Sequence, residues 1–338
     1  MKHPKIVTVG VVGAGGFIGQ YHLKRLSTVI EGVRIGAVYD INREKCDAIA
    51  AQYGAVSAAT AEELIESPDI DAVVVTAWNA AHADLTRKCI AAHKPVFCEK
   101  PLATTLEDCA AVVQAEKEAG ESLVQVGFMR RFDPSYADAK QKIRAGVIGT
   151  PIAFKGVSLD PASVLPGHLE GVKKGIYVPW FIEMGSHDAD LARWFLEGEP
   201  VESYATGDAY VCTELADYND YDNGFSLTKF DNNTTAFIQV GRTATCSHVE
   251  SEIVGTKGTI RVNSVPRKNY VSSFTEAGYV EECQESFLAR WRDAFEAEMN
   301  DFVDCVRTGH KPEATAHDGT MGLKFCLQLH QAYLDGKK

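Results

Sequence analysis

The sequence predicts an α/β protein, with an N-terminal Rossmann-type doubly wound parallel sheet and a C-terminal α+β domain that has a large, open, mainly antiparallel sheet. Three observations predict this class. Short apolar strands alternate with helical segments through the first 127 residues, a glycine-rich turn follows the first strand, and longer strand-like runs separated by turn residues dominate afterwards. Apolar strands that alternate with helices are typical of parallel sheets covered on both faces.

The elements of the first domain follow in order. Strands are predicted at residues 5–12, 33–39, 72–76, 96–98 and 123–126, and helices at 17–26, 44–53, 61–66, 82–92 and 105–118. Right-handed crossovers between such strands produce a doubly wound sheet. We assign residues 1–127 to a nucleotide-binding domain.

Residues 128–338 are assigned to a domain for substrate binding and oligomerisation. Helices are predicted at 134–145, 182–196, 286–307 and 317–334, and strand-like text with turn signals such as Asp222-Asn223-Gly224 fills 200–271. Residues 160–177 are rich in Gly, Pro and Lys and are interpreted as a mobile loop. The last helix can pack back on the first domain, and one sheet face can serve an oligomer interface.

Composition narrows the class of protein. The chain has 338 residues, of which 45% are hydrophobic and 24% charged, and this length suits two domains. A net charge of −12 disfavours a nucleic-acid or anionic-membrane partner, and no apolar run is long enough to span a membrane. The nine cysteines contain no Cys-x-x-Cys and are interpreted as reduced thiols in a cytoplasmic protein.

The glycine-rich turn runs from Gly13 to Gly19, between the first strand and a helix. Gly13, Gly15 and Gly16 permit close approach of backbone N–H groups to a diphosphate, and Phe17 and Ile18 open the helix whose N-terminus favours negative charge. The usual third glycine would stand at Ile18, one residue before Gly19. The strand–turn–helix context nevertheless predicts dinucleotide binding rather than a structural turn.

Asp40 ends the second strand. A carboxylate there accepts hydrogen bonds from the ribose hydroxyls and repels a 2′-phosphate, which favours NAD. Arg43 keeps NADP possible, since its guanidinium can accommodate that phosphate. The structural alternative for Asp40 is the cap of the helix that starts near Asn42.

The third apolar strand ends at Thr76, and ligands of open parallel sheets bind at the carboxyl ends of strands. We therefore expect Thr76, Trp78, Asn79 and His82 to flank the cofactor. Packing at the lip of the cleft is an alternative for Trp78, and an ordinary first-turn helix position is the alternative for His82.

Lys100 stands between Glu99 and Pro101 at the end of another short strand. Partial burial and the positive charge of a nearby cofactor ring would lower the pKa of this lysine, so that it can exchange protons. It can also donate a hydrogen bond to a substrate oxygen. Pro101 allows a cis peptide. The alternative is a solvated lysine paired with Glu99.

Glu183 and His187 are four residues apart, so on one helix they share a face. His187 can accept a hydroxyl proton near neutral pH, and Asp190, one turn on, can orient the imidazole. Taken alone, this spacing is also common on solvated helix faces. The absence of His-Glu-x-x-His or clustered cysteines predicts no catalytic metal.

Three motifs together resemble the Gfo/Idh/MocA oxidoreductases, and within them the inositol and sugar dehydrogenases. They are the glycine turn, Glu99-Lys100-Pro101 and Gly127-Phe128-Met129-Arg130-Arg131-Phe132-Asp133. The segment His187-x-x-Asp190-x-x-Arg193-Trp194 also resembles an inner helix of that family. Domain order and length agree over nearly the whole chain.

The resemblance implies an NAD- or NADP-dependent oxidation of a ring secondary alcohol by a homo-oligomer, usually a tetramer. It implies His187 as the general base, Lys100 as the active-site lysine, and Met129 and Arg130 beside cofactor and polyol. Tyr177 and Trp180 are expected to line the substrate pocket with Glu183. The family usually has aspartate where this chain has Glu183, which leaves the substrate open.

Three alternatives remain at this stage. The substrate can be another sugar or sugar derivative, the enzyme can be an NAD-dependent glycosidase without net redox change, or the chain can be a non-catalytic NAD-binding protein. The intact Lys100 and His187 disfavour the last.

Overall fold

The computed structural model describes residues 6–262, 267–276, 278–283 and 287–337. The chain forms two compact units. The first contains residues 1–129 and 295–323, and the second contains residues 130–294 and 324–338. The sequence analysis placed one boundary after residue 127, whereas in the structure a late segment returns to the first unit.

The first unit is a six-stranded parallel sheet in the order β3-β2-β1-β4-β5-β6, with helices between the strands, which confirms the predicted doubly wound domain. Its strands are β1 (Val7–Val12), β2 (Val33–Tyr39), β3 (Val56–Ser57), β4 (Ala72–Val75), β5 (Val96–Cys98) and β6 (Val124–Val126). Its first helices are α1 (Phe17–Thr28), α2 (Arg43–Tyr53), α3 (Ala61–Glu66), α4 (His82–Ala91) and α5 (Leu106–Ala119).

Local sequence explains these boundaries. Every residue of β1, β4, β5 and β6 is buried, as expected for strands covered on both faces. Side chains of Asn42, Thr60 and Thr105 cap the starts of α2, α3 and α5. Gly54 and Gly120 end α2 and α5 in the left-handed conformation that glycine adopts without a steric penalty.

The late segment of the first unit belongs to α11 (Arg292–Thr308) and the start of α12 (Ala316–Gly336). Met299, Phe302 and Val303 join the same apolar cluster as β1 and β4. Burial of such side chains contributes about 1.5–3 kcal/mol each. The division into two units thus depends on contacts between residues far apart in the chain. A change in amino-acid composition along the sequence does not reveal such contacts.

The second unit contains a six-stranded sheet in the order β12-β11-β7-β10-β9-β8 and a two-stranded hairpin. Its strands are β7 (Pro151–Pro161), β8 (Pro200–Asp208), β9 (Asn223–Phe230), β10 (Thr235–Ala244), β11 (His248–Gly255), β12 (Gly258–Val262), β13 (Arg267–Thr275) and β14 (Gly278–Cys283). Its helices are α6 (Pro134–Arg144), α7 (Leu165–Lys173), α8 (Trp180–Glu183), α9 (Gly185–Leu196) and α10 (Phe287–Arg290).

This larger sheet is mixed. Strands β7 and β10 pair in parallel, and the other pairs are antiparallel, in agreement with the predicted mainly antiparallel sheet. Burial alternates along β9 and β11, so one face packs inside the unit and the other is more open. Helix α9 lies against β7 and β10.

Some local predictions differ from the structure. Strand β7 was not predicted, and residues 160–177 contain helix α7 rather than only a loop. The helix predicted from residue 182 begins two residues earlier and is interrupted at Met184, so Glu183 ends α8 and His187 belongs to α9. The predicted starts of the first strand at Lys5 and of a late helix at Ser286 lie outside the described residues.

Two further features concern the class of protein. None of the helices within the described ranges combines the length and apolar character needed to cross a membrane. Eight cysteines in those ranges are free thiols, and five of the predicted thiols, at 46, 89, 98, 109 and 326, are fully buried.

Candidate active site

The glycine turn is shaped by close backbone approaches. Gly13 has φ +86°, and a Cβ at this position would lie 2.5 Å from the backbone nitrogen of Ala77. A Cβ on Gly19 would lie 2.4 Å from the carbonyl oxygen of Gly13. Both contacts are too short for any side chain. Gly19 stands one residue later than the usual third glycine, but it still allows α1 to pack closely against the turn.

The start of α1 is suited to a diphosphate. Gly16 precedes the helix and makes no side-chain cap, and the first turn contains no acidic residue. No side chain caps this end, so its backbone N–H groups can donate hydrogen bonds to an anion. Phe17 is 70% exposed and Ile18 is half-buried. This uncapped end and the side-chain-free turn fit a dinucleotide.

The carboxylate of Asp40 lies at the same turn. Its Oδ2 accepts a hydrogen bond from Gly15 N at 2.7 Å, and its Oδ1 accepts one from Asn42 N at 2.9 Å. Asn42, not Asp40, caps α2. Asp40 is thus held at the end of β2, where a ribose-binding carboxylate is expected.

The guanidinium of Arg43 has protein partners. It donates to Asp47, to the Ser57 side chain and to the carbonyl oxygen of Ala58, at 2.6–2.7 Å. These bonds hold it against β3. A guanidinium fixed in this way has no visible preference for a 2′-phosphate, which favours NAD over NADP.

The residues after β4 divide into buried and exposed members. The Thr76 hydroxyl donates to the carbonyl oxygens of Val12 and Gly13, at 3.1 and 3.2 Å, and so ties the end of β4 to the turn. Trp78 is 57% exposed, and Asn79 opens a short helical turn. Contacts of Trp78 and Asn79 with the cofactor stay predictions.

His82 is fully enclosed. Its Nδ1 lies 2.7 Å from the carbonyl oxygen of Pro101, and its Nε2 lies 2.8 Å from that of Ala77. Burial opposes its charge, but the Cys98 sulfur and the two carbonyl oxygens outweigh burial and raise the pKa of His82 to about 9. The two ring nitrogens therefore join the loop that follows Lys100 to the loop that follows β4, which favours a positioning role over direct contact with the cofactor.

Lys100 is half-buried, and its bond to Pro101 is cis. Glu99, which is 8% exposed, accepts a hydrogen bond from the backbone nitrogen of Lys100 at 3.2 Å. The other oxygen of Glu99 lies 2.8 Å from His22 Nε2 on α1. Glu99 therefore fixes the backbone of Lys100. Sequence reasoning missed His22, whose position on α1 gave no signal.

Met129 and Arg130 stand at the end of the first unit and the start of the second. Met129 is 2% exposed and Arg130 is 3% exposed. Arg130 Nη1 donates to Ser158 Oγ at 3.0 Å and to Asp188 at 3.2 Å, and Ser158 donates to Asp188 at 2.6 Å. Burial raises the pKa of Asp188 against the effect of Arg130. These contacts give Arg130 a structural role, and its contact with cofactor or polyol stays a prediction.

Glu183 and His187 flank the interruption between α8 and α9. The Glu183 side chain is 21% exposed, and His187 is 7% exposed. Ser186 donates to the carbonyl oxygen of Glu183 at 2.9 Å, which stabilises the break. Asp190 forms a two-bond ion pair with Arg131, at 2.6 and 2.8 Å.

Residues that the sequence analysis did not single out surround Glu183. Its Oε2 lies 3.5 Å from His168 Nδ1, and its Oε1 lies 3.5 Å from Arg242 Nη2. Trp180, which is 1% exposed, lies beneath the Arg242 guanidinium, and the Tyr177 ring stacks on His168. His168 and Arg242 lie far apart in sequence and in no motif, so only folding reveals them.

One group of potential metal ligands occurs within the described ranges. Asp301, Cys305 and His310 lie together at the end of α11. None of these three residues was predicted as a site residue.

The turn, the uncapped helix and the carboxylate at the end of β2 define a dinucleotide-binding protein. The chain belongs to the Gfo/Idh/MocA oxidoreductase family. Residues 7–128 match its NAD-binding Rossmann fold, and residues 136–261 match a C-terminal domain of the same family. The first unit is thus an NAD-binding domain.

Relatives span the whole chain. An inositol 2-dehydrogenase of Saccharopolyspora erythraea is 35% identical over 98% of this chain and 94% of its own, and a scyllo-inositol 2-dehydrogenase (NAD(+)) of Bacillus subtilis is 32% identical over 99% and 96%. A scyllo-inositol dehydrogenase from Lactobacillus casei, solved with NAD(H) and scyllo-inositol, has a TM-score of 0.92 at 30% identity over 98% of each chain.

Proposed function

We propose that the protein is an NAD-dependent dehydrogenase that oxidises a ring secondary alcohol of a cyclitol or related sugar to the ketone. The observation that carries the substrate class is the full-length likeness to an enzyme solved with NAD(H) and scyllo-inositol. The glycine turn, Asp40 and the engaged Arg43 support NAD as the cofactor. NAD, when bound, supplies the hydride acceptor.

His187 is the proposed general base. It takes the hydroxyl proton while the C–H bond gives up its hydride, so that the alcohol loses two electrons and two hydrogens in total. Lys100 holds the same oxygen, donates a hydrogen bond to it and stabilises its developing negative charge. Glu183 accepts a hydrogen bond from a neighbouring hydroxyl. Tyr177 and Trp180 line the polyol site in this proposal, and Met129 and Arg130 keep their predicted places beside it.

The test is NADH formation by purified protein with NAD over a panel of inositol isomers and common sugars. We expect turnover with at least one cyclitol. Lys100→Met and His187→Asn are each expected to lower kcat by about 100-fold or more, as for loss of an acid–base group. Lys117→Met, on the exposed side of α5, is the matched control and is expected to keep full activity.

NADP is the matched cofactor control, and a large preference for it would contradict the proposal. Cleavage of a glycoside without net NADH formation would instead indicate the redox-neutral glycosidase. Absence of NAD binding would overturn the cofactor and the reaction together.

We also propose a cytoplasmic homo-oligomer, with a tetramer favoured. Val201, Tyr204 and Leu227 on β8 and β9 are 50–65% exposed, which makes the open face of the larger sheet suited to a second copy of the chain. Light scattering with size-exclusion chromatography tests this. A mass of one chain would contradict it.

A further inference from the structure

Arg242 is a buried cation in the second unit. It lies near the end of β10, its guanidinium carbon lies 3.1 Å from the centre of the Trp180 ring, and its side chain is 8% exposed. A buried guanidinium near a sugar-binding residue has two interpretations. It can receive an anionic group of the substrate, or it can hold a carboxylate of the protein.

The charges that face Arg242 decide between these roles. Glu183, Asp160 and Asp220 are close enough to oppose the effect of burial, which lowers the pKa of Arg242. Three carboxylates therefore lie near this one guanidinium. An anionic substrate group would enter a region that already has enough negative charge to neutralise the guanidinium. Like charges brought together at short range cost several kcal/mol in recognition.

His168 supplies the second contact to Glu183. Asp220 Oδ1 accepts hydrogen bonds from the backbone nitrogens of Trp180 and Tyr221, at 3.1 and 2.9 Å, and its Oδ2 lies 2.8 Å from His168 Nε2. Since the carboxylate of Asp220 can only accept, Nε2 is assigned the hydrogen. The other nitrogen, Nδ1, faces Glu183 Oε2 at 3.5 Å.

Each oxygen of Glu183 thus has its own cationic or imidazole neighbour at 3.5 Å, His168 for Oε2 and Arg242 for Oε1. An aspartate at this position would withdraw the carboxylate by about one C–C bond, roughly 1.5 Å, and would lose both contacts. The glutamate, the histidine and the arginine therefore form one interdependent unit, here called the Glu183 clamp.

We infer that the Glu183 clamp selects an uncharged polyol, with His168 and Arg242 as positioning residues that hold Glu183 to accept a hydroxyl beside the oxidised carbon. This inference rests on the proposed function and specifies its substrate class: neutral cyclitols and sugars, and not their phosphate esters or sugar acids. Glu183 touches the substrate in this arrangement, whereas His168 and Arg242 act through it.

The first experiment is titration calorimetry on protein saturated with NADH, with scyllo-inositol, an inositol monophosphate and glucuronate as ligands. We expect the neutral polyol to bind at least about 10-fold more tightly than either anion. Tighter binding of either anion would overturn the inference and would identify Arg242 as an anion receptor.

The second experiment compares variants. Arg242→Gln and Glu183→Asp are expected to raise KM for the neutral polyol by about 10-fold, with a smaller change in kcat, because they loosen a hydroxyl contact. Arg242→Lys keeps the charge and is expected to recover part of the loss. Arg261→Gln, an exposed arginine paired with Glu252 on the neighbouring strand, is the control. An unchanged KM in the folded Arg242→Gln variant would contradict the positioning role of Arg242.

A third readout does not need turnover. Nitrogen NMR of labelled histidine is expected to show a hydrogen bond at His168 Nε2, with the Nδ1 signal changed in Glu183→Gln and unchanged in Arg261→Gln. If the wild-type protein neither binds nor oxidises any polyol, the proposed function fails. The NMR result then still decides whether the Glu183 clamp exists. An Nδ1 signal that does not change in Glu183→Gln would show that the clamp is absent.

Discussion

His22 Nε2 lies 2.8 Å from Glu99 Oε1, and this contact joins the helix of the glycine turn to the residue that fixes the Lys100 backbone. His22 is completely buried and lies edge-on to Phe97 and Phe295. The dinucleotide turn and the predicted catalytic lysine are therefore linked inside one unit. A change on α1 is expected to reach Lys100 through Glu99.

Replacing His22 tests this link. His22→Leu leaves the Glu99 carboxylate without its histidine, so we expect a loss of about 1–3 kcal/mol in the free energy of unfolding and a lower kcat. The double variant His22→Leu/Glu99→Leu should lose less than the sum of the single variants, because they share one interaction. Urea unfolding measures both. Exposed His317→Leu is the control, and additive losses would refute the coupling.

Two glycines of the turn provide a matched pair. In Gly19→Ala the new Cβ meets the Gly13 carbonyl at 2.4 Å, so we expect a loss of about 1–3 kcal/mol and weaker NAD binding. In Gly16→Ala the nearest atom lies 3.5 Å away and φ is −71°, so we expect a loss below about 1 kcal/mol. Thermal unfolding and NAD titration compare them, and equal losses would contradict the packing role of Gly19.

Asp40 and Arg43 predict cofactor choice. Asp40→Ala is expected to weaken NAD binding by about 10-fold and to narrow the preference for NAD over NADP, since a ribose acceptor and a repelling charge are both removed. Arg43→Ala should leave NAD affinity nearly unchanged, because its guanidinium is used by Asp47, Ser57 and Ala58. Fluorescence titration with both nucleotides distinguishes these outcomes. A large NAD loss in Arg43→Ala would place that guanidinium at the cofactor.

His82 predicts a pH dependence of stability. Its pKa rises from 6.5 to about 9 on folding, so the stabilisation is fully present below pH 6.5 and is lost as pH increases through about 9. The wild-type advantage over His82→Gln should therefore be on the order of 1–3 kcal/mol at about pH 6 and should shrink by about pH 10. Denaturant unfolding across this range, with exposed His317→Gln as reference, measures it. A gap independent of pH would mean that His82 is neutral in the folded protein.

Much of the first unit follows from local sequence. Strands β2 and β5 and helix α3 agree with their predicted bounds, because each strand contains a recognisable apolar run and the helix start has a recognisable cap. The glycine turn, Asp40, Lys100 and His187 were all predicted as site residues from residue type and position relative to these elements. Their chemistry is local, so a pattern of neighbours can indicate it.

Other features depended on the tertiary structure. The return of α11 to the first unit, the His22–Glu99 contact and the placement of His168 and Arg242 around Glu183 join residues on separate elements. Their separations along the chain range from 15 to more than 200 positions. Such pairs leave no periodic or motif signal, because each residue's own neighbours are compatible with many surroundings. The sequence by itself determined the fold class and the cofactor turn, and it predicted the reacting groups. Packing between distant segments decided which carboxylates are held and by which neighbouring side chains, because such contacts depend on residues that are not neighbours in the chain.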